Sequence, residues 1–369
     1  MNRLFRWDQM GLFLLALAAG ILPFAVPEVC AATLREGLTL CSGPLLLSLF
    51  PFLVVSRLLI QCPESDLLAL PFRLAAWGIG IRTPCAARVL CIGFLGGFAP
   101  AASAAAQAVR TGQLTAEEAD ALLPACICSG PSFVVLTVGQ SLLGSAELGA
   151  LLFASQITAN YLTAALLNRF AGVHSVKPRS AAPASPAPPR LDEILADAAI
   201  TYCKLCGFIL FFRMLAAGAG ALLPAGAGTL CAILLEVCSG CDLASRTGRW
   251  GSLLCCAALS VQGLSVLLQV RTICPPEMTL RPLYRARMLH LPLSLALFYL
   301  LLPGGEADVF STLPARVLLM RRVPPDCALL VFAVCCMAAC TLRSGIRQVE
   351  QKQMARNAGG CCINSKTLL

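Results

Sequence analysis

The chain has 369 residues, of which 58% are hydrophobic and 13% charged, and its mean hydropathy is +0.79. Soluble domains carry about 25% charged residues, so this composition excludes an ordinary soluble enzyme and predicts a protein of the lipid bilayer. The net charge of +9 does not indicate nucleic-acid binding, because the basic residues lie between apolar runs and not on one face.

The first apolar run, 11–27, follows Arg3 and Arg6. This arrangement is also typical of a signal peptide, and the Ala-rich residues 30–32 would suit a cleavage site. Many apolar runs follow it, so we favour a retained transmembrane helix.

A helix needs about 20 apolar residues to cross the hydrocarbon core. Such runs recur along the whole chain, which predicts an all-α polytopic membrane protein. The runs are 11–27, 37–56, 89–109, 121–146, 148–168, 194–212, 214–235, 250–270, 288–305 and 327–342.

Several runs carry glycine and proline in their middles. These residues are Gly93, Gly96, Gly97, Pro100, Gly130, Pro131, Gly218, Gly220, Pro224, Gly226 and Gly228. Non-helical backbone at membrane depth persists only when it is buried in protein or lines a wet cavity, so we expect re-entrant hairpins at 86–108 and 219–240 and discontinuous helices elsewhere. Close helix packing through small residues is the alternative.

A Pro/Ala-rich segment, 171–192, separates two similar halves and reads as a cytoplasmic linker. Basic loops favour the cytoplasm, which places both termini on the cytoplasmic side of the cell membrane. The basic loop 304–326 is the exception, because this topology places it outside the cell. One hairpin then enters from each side, as an inverted repeat requires. The expected divisions are an N-terminal helix and loop (1–34), a first repeat (35–170), the linker (171–192), a second repeat with closing helices (193–345) and a basic cytoplasmic tail (346–369).

The candidate substrate-binding residues lie at these interruptions. Small residues let the backbone approach a ligand closely, and Ser and Gln supply neutral hydrogen bonds. Glu236 is an acidic residue within an apolar run, where it indicates either a functional carboxylate or a wetted hairpin tip. The candidates are Gly97, Ser103, Ser129, Gly130, Ser132, Glu236, Ser239, Gly240, Gln262 and Ser265.

Other polar residues favour structural roles. Asp197 and Lys204 share one helical face, which suggests an internal ion pair or snorkelling. Gln156 and Asn160 are expected to join helices, and 115–118 reads as a capped helix start.

Cysteine is abundant, with 21 residues, most of them within apolar stretches, where it acts as a small apolar residue. The CxxC pairs Cys203/Cys206 and Cys238/Cys241 lack a second ligand pair, so we expect no metal and no cofactor. The sequence contains no P-loop and no HExxH motif, and we expect no enzymatic activity.

Five segments together resemble the bacterial sporulation integral membrane proteins with nucleoside-recognition (Gate) domains. The resemblance covers 35–345 in order, and the Gate superfamily is similar to concentrative nucleoside transporters and ferrous-iron transporter gates. It implies paired re-entrant hairpins with broken helices, and a role in endospore formation. The segments are LSLFPF (47–52), GFLGGFAPAA (93–102) with TGQLTAEEADALL (111–123), CSGPSFVVLTVG (128–139), LLEVCSGC (234–241) and GLSVLLQ (263–269).

The chain departs from that pattern at Ser103, where such proteins usually carry Lys, and at Ile127-Cys128, where they usually carry an Asn pair. It also departs at Ser239 and Leu267, where they usually carry Asn and His. A nucleoside needs several strong hydrogen-bonding partners, so these departures weaken that solute. We expect a sporulation-associated membrane protein that moves or senses a small solute such as a nucleoside. The alternative is a non-transporting scaffold that recruits partners through the linker or the tail. Homo-oligomer formation stays open.

Overall fold

The computed structural model describes residues 7–61, 63–172 and 191–302. Most of the expected linker 171–192, the loop 304–326, the run 327–342 and the basic tail 346–369 lie outside the described residues.

Every regular element within the described ranges is helical. A π-helix, Ser132–Leu142, and two short 3₁₀ turns, Pro63–Asp66 and Gly248–Trp250, accompany the α-helices. The α-helices are α1 (Trp7–Ala25), α2 (Pro27–Ser42), α3 (Pro44–Gln61), α4 (Leu70–Gly78), α5 (Pro84–Gly96), α6 (Phe98–Arg110), α7 (Ala116–Cys126), α8 (Ala146–Phe170), α9 (Leu191–Leu222), α10 (Ala225–Leu235), α11 (Val237–Ser245), α12 (Gly251–Val261), α13 (Gly263–Ile273) and α14 (Arg281–Leu301).

Three helical stretches in the described part of the chain are long and apolar enough to cross a bilayer: Ala146–Phe170, Leu191–Leu222 and Gly248–Ile273. A fourth arises if Phe13–Ala25 and Pro27–Ser42 count as one span, although they meet at 109°. Together with the composition, these helices make the chain an all-α membrane protein.

The expected span 37–56 is divided between α2 and α3. Both helices begin with a proline, Pro27 and Pro44, which suits the first helical position because its missing N–H needs no partner there. The bend between α1 and α2 has the same cause, since the amide that proline lacks cannot continue the preceding helix.

The glycines of the expected hairpin 219–240 serve two different purposes. α9 runs on through Gly218 and Gly220 to Leu222, and the turn occurs only at Pro224, which precedes α10. A Cβ on Gly228 would lie 3.0 Å from the Gly220 Cα, so these glycines let α9 and α10 approach closely. Small-residue packing therefore explains this part of the pattern, and the chain breaks later, at Glu236.

The core that carries the helix interruptions is built largely from small residues. α6 is enclosed on nearly every side, and a Cβ on Gly93 of α5 would lie 3.2 Å from the Ala101 Cβ of α6. Large apolar side chains such as Phe24, Phe170 and Leu300 point outward, as expected where lipid is the solvent. The capped start predicted at 115–118 is confirmed, because Thr115 and Glu118 form a reciprocal capping box.

Candidate functional site

Two helix interruptions meet in the first half of the chain. α5 ends at Gly96 and α6 begins at Phe98, with Gly97 between them at φ +82° and ψ −164°. The second interruption, 127–131, separates α7 from the π-helix. A Cβ on Gly97 would lie 2.7 Å from the Gly130 backbone nitrogen, so the two interruptions touch through backbone atoms.

Two interruptions also meet in the second half. Glu236 separates α10 from α11, and Gln262 separates α12 from α13. Gln262 adopts φ +62° and Gly263 adopts φ +70°, both in the left-handed region. A Cβ on Gly263 would lie 2.9 Å from the Glu236 backbone nitrogen, so this pair is in contact as the first pair is.

One carbonyl joins the two halves. The Ile127 oxygen, at the C-terminal end of α7, accepts hydrogen bonds from Gln262 Nε2 at 3.3 Å, Asn160 Nδ2 at 3.3 Å and an Arg287 guanidinium nitrogen, Nη2, at 2.6 Å. These donors come from the α12–α13 interruption, α8 and α14. The four interruptions therefore form one buried polar centre.

A second polar cluster borders this centre. Gln156 Nε2 on α8 donates to the Cys256 carbonyl at 3.2 Å and to Ser260 Oγ at 3.0 Å. Ser260 and Ser294 are joined by a hydroxyl–hydroxyl bond, and the His290 ring nitrogen Nε2 bonds the Gln156 carbonyl. The predicted role of Gln156 and Asn160 in joining helices is confirmed.

Glu236 is 2% exposed, and its carboxylate acts on its own helix. It accepts backbone N–H bonds from Cys238 at 2.9 Å and Ser239 at 2.7 Å, which caps the N-terminus of α11. A carboxylate at that position satisfies otherwise unpaired amides and complements the helix dipole. The side chain thus fixes the shape of the interruption, and its oxygens are already engaged.

The remaining predicted site residues divide into three groups. Ser129 is buried and Ser132 half-buried, and both lie at the first-half interruption. Ser265 is buried on α13 and accepts from Gln269 Nε2, while Gly240 packs α11 against Ile233 of α10. Ser103 lies away from the interruptions and lines one surface cavity, whereas Ser239 lies in the first turn after the Glu236 interruption and lines another.

The first cavity has a volume of about 160 Å³ and lies where Ser103 of α6 faces the N-terminal part of α9. The residues that line it include an ion pair, in which Arg57 Nη1 lies 2.6 Å from Asp197 Oδ2, and also Lys204. Asp197 therefore pairs with Arg57 of α3 rather than with Lys204 of its own helix, because the guanidinium reaches it across the helix interface.

The second cavity, of about 410 Å³, lies at the other end of α9. Ser239 of α11 lines it together with Glu36, Arg213, Asp242 and others. On α9 the first cavity is lined as far as Leu205 and the second from Arg213 onward, a separation of eight positions or about 12 Å along the helix.

Sequence reasoning missed Arg287 and His290, since the positive-inside rule assigns Arg287, just before the apolar run 288–305, to a basic cytoplasmic loop. Both side chains are buried, and they share one face of α14 with Ser294. Their spacing of three and four residues is the signal that would have found them, since it continues the buried stripe from Leu283 to Phe298. Across residues 7–61, 63–172 and 191–302, no group of three or more His, Cys, Asp or Glu side chains gathers as a metal site would require.

Comparisons with protein-family models, with curated proteins and with solved structures find no match for this chain.

Proposed function

We propose that the chain is a Gate-type membrane protein whose helix pairs α5–α6 and α10–α11 are re-entrant hairpins. Length supports this proposal. α5 and α6 have 13 residues each and α10 has 11, so at about 1.5 Å per residue they extend about 20 Å and 16 Å. Neither length crosses a hydrocarbon core of about 30 Å, whereas a hairpin that enters and returns fits it.

The two halves then form an inverted repeat. Each half contains a helix pair broken at one residue, followed by a discontinuous helix, and in each half the two interruptions touch. α6 lines the cavity near one end of α9, and α11 lines the cavity near the other end. Hairpins that enter from opposite faces account for this arrangement.

We assign this protein the movement or sensing of a small, uncharged, hydrogen-bonding solute, with nucleosides as one class. The observation that carries this function is the polar centre, where Asn160 Oδ1 and Gln262 Oε1 are buried acceptors without a donor among the described residues. Buried acceptors of this kind are costly unless a partner arrives. A solute hydroxyl or amine, entering as the halves rock apart, would supply it.

The cellular setting rests on the resemblance described above. It implies the cell membrane of an endospore-forming bacterium, while the distribution of basic loops favours termini in the cytoplasm and the sequence motifs favour no enzymatic activity. Neither hydrolysis of a nucleotide nor a bound cofactor is part of this proposal.

Uptake of labelled nucleosides and small neutral solutes into proteoliposomes tests the function. An alanine Cβ at Gly130 would lie 3.5 Å from the Gly96 oxygen, an ordinary contact, whereas the further carbons of leucine extend from a Cβ already in contact. We therefore expect flux in wild type and Gly130→Ala, and loss of flux in Gly130→Leu. Equal flux in both variants, or none for any solute, contradicts solute movement through this centre.

A non-transporting scaffold is the second candidate, and one observation favours it. The interruptions contact each other directly, and neither surface cavity is lined by Gln262 or Gly130. A scaffold needs the fold but no passage. An absence of flux, combined with normal endospore formation in cells that carry Gly130→Leu, supports the scaffold and excludes transport.

A further inference from the structure

Arg287 is a cation buried among the helix interruptions. The residue is 7% exposed, and in the described part of the chain no carboxylate lies within ion-pair distance of its guanidinium. Burying a charge without compensation is strongly unfavourable. Other groups must therefore balance this charge.

The balancing groups are the carbonyl ends of two half-helices. Arg287 Nη2 donates to the Ile127 oxygen at 2.6 Å, and Nη1 donates to the Ser260 oxygen at 3.4 Å. Ile127 is the C-cap residue directly after α7, and Ser260 lies in the last turn of α12. Unpaired carbonyls at a helix C-terminus carry the negative end of the helix dipole, so the positive charge sits where two such ends converge.

Two side-chain amides contact the same carbonyl as Arg287. Asn160 and Gln262 each donate an amide hydrogen to the Ile127 oxygen, while their own amide oxygens, Oδ1 and Oε1, have no donor. Backbone carbonyls such as those of Ile127 and Ser260 belong to the oxygen ligands that hard cations prefer. In discontinuous-helix transporters, coupling cations bind at unwound carbonyls and half-helix C-termini.

We propose that Arg287 is a tethered cation: its guanidinium, attached to the chain through the side chain, occupies the position that a free monovalent cation would otherwise fill. The helix ends are then neutralised permanently, and any solute movement by this protein proceeds without a coupling Na⁺ or H⁺ at this point. The statement about coupling rests on the proposed function, whereas the statement about charge does not. Removing the side chain should leave a site that accepts a cation from solution.

Thermal unfolding of the purified full chain in lipid nanodiscs tests the proposal. The Tm is measured in choline chloride alone and again after sodium chloride or millimolar guanidinium chloride is added. Wild type should show the same Tm in every salt. Arg287→Ala should lose about 5–10 °C and regain most of it in a saturable manner with guanidinium or sodium. Arg287→Lys should stay near wild type without a response to cations, because it keeps the charge.

Arg271→Ala is the matched control. Arg271 also donates to a backbone carbonyl, that of Met278 at 2.6 Å, but its side chain is exposed. The decrease in Tm caused by Arg271→Ala should therefore be small and unaffected by cations. If Arg287→Ala does not fold, Arg287→Lys and Arg287→Gln decide the question, since both donate hydrogen bonds and only lysine carries charge. A stable glutamine variant, a lysine variant as damaged as alanine, or no saturable cation response overturns the tethered cation.

Solute flux is measured separately and decides a different point. Flux that is absent while the cation response of Arg287→Ala is present refutes the proposed function and leaves the role of the charge standing. Flux that requires a sodium gradient in wild type refutes the uncoupled mechanism alone.

Discussion

Replacing Gly97 with alanine tests the contact between the two first-half interruptions. Gly97 adopts φ +82° and ψ −164°, a region almost exclusive to glycine, where another residue costs about 1–3 kcal/mol. The new Cβ would also lie 2.7 Å from the Gly130 nitrogen and 3.0 Å from its Cα. These are backbone atoms that cannot rotate away, so overpacking adds about 1–3 kcal/mol. We expect the free energy of unfolding to fall by about 2–6 kcal/mol.

Two alanine variants separate these causes. Gly112 has φ +71° but no atom within 4 Å of its Cβ position, so Gly112→Ala measures the backbone cost alone, about 1–2 kcal/mol. Gly130→Ala places a Cβ at ordinary contact distance without positive φ, and should change stability by less than about 1 kcal/mol.

Thiol labelling during thermal unfolding in detergent provides the assay, because Cys126 and Cys128 are buried beside the interruption. At about 2–4 °C per kcal/mol, Gly97→Ala should unfold well below Gly112→Ala, and Gly130→Ala close to wild type. Equal midpoints for Gly97→Ala and Gly112→Ala would refute the close approach of the two backbones, since only the shared effect of positive φ would remain.

Three other changes have defined outcomes. Glu236→Ala should cost about 1–2 kcal/mol in thermal unfolding, because the cap of α11 is lost, and Glu236→Gln should cost less; equal losses would contradict capping. Arg57→Ala and Asp197→Asn should show a coupling of less than about 1 kcal/mol that weakens with salt, as the carboxylate is 63% exposed; salt-independent coupling would contradict this. Burial, reinforced by Asp120, raises the pKa of the Cys274 thiol to about 12, so its alkylation should be slow at pH 8 and keep rising beyond pH 10, whereas a plateau near pH 9 would be inconsistent with it.

The interruptions were largely predictable because their causes are local. Glycine and proline change the backbone at their own positions, and the candidate list placed Gly97, Gly130, Glu236 and Gln262 at what prove to be the four helix breaks. Ser103 follows Gly97 closely in the sequence, but six residues of helix carry it about 9 Å from Gly97. It therefore lines a cavity and not the centre.

The partner of Arg287 was not predictable by the same reasoning. Its nearest partner, the Ile127 carbonyl, is 160 residues away in sequence, and a backbone acceptor leaves no trace in residue type. The positive-inside rule assigns an arginine near the end of an apolar run to the cytoplasmic loop. The stripe of residues on α14 indicates that this arginine faces inward, but only the packing of α14 against α7 and α12 shows which carbonyls it contacts.

The shared carbonyl of Ile127 has a consequence for how this region can vary. A carbonyl oxygen offers two lone pairs, yet three side chains direct hydrogens at it, so the donors compete for it. Truncating one should let the others shorten their bonds, and paired truncations should therefore cost more than the two single costs added together. Since the acceptor belongs to the main chain, no substitution at position 127 removes it, and natural variation can tune this junction only through the competing donors.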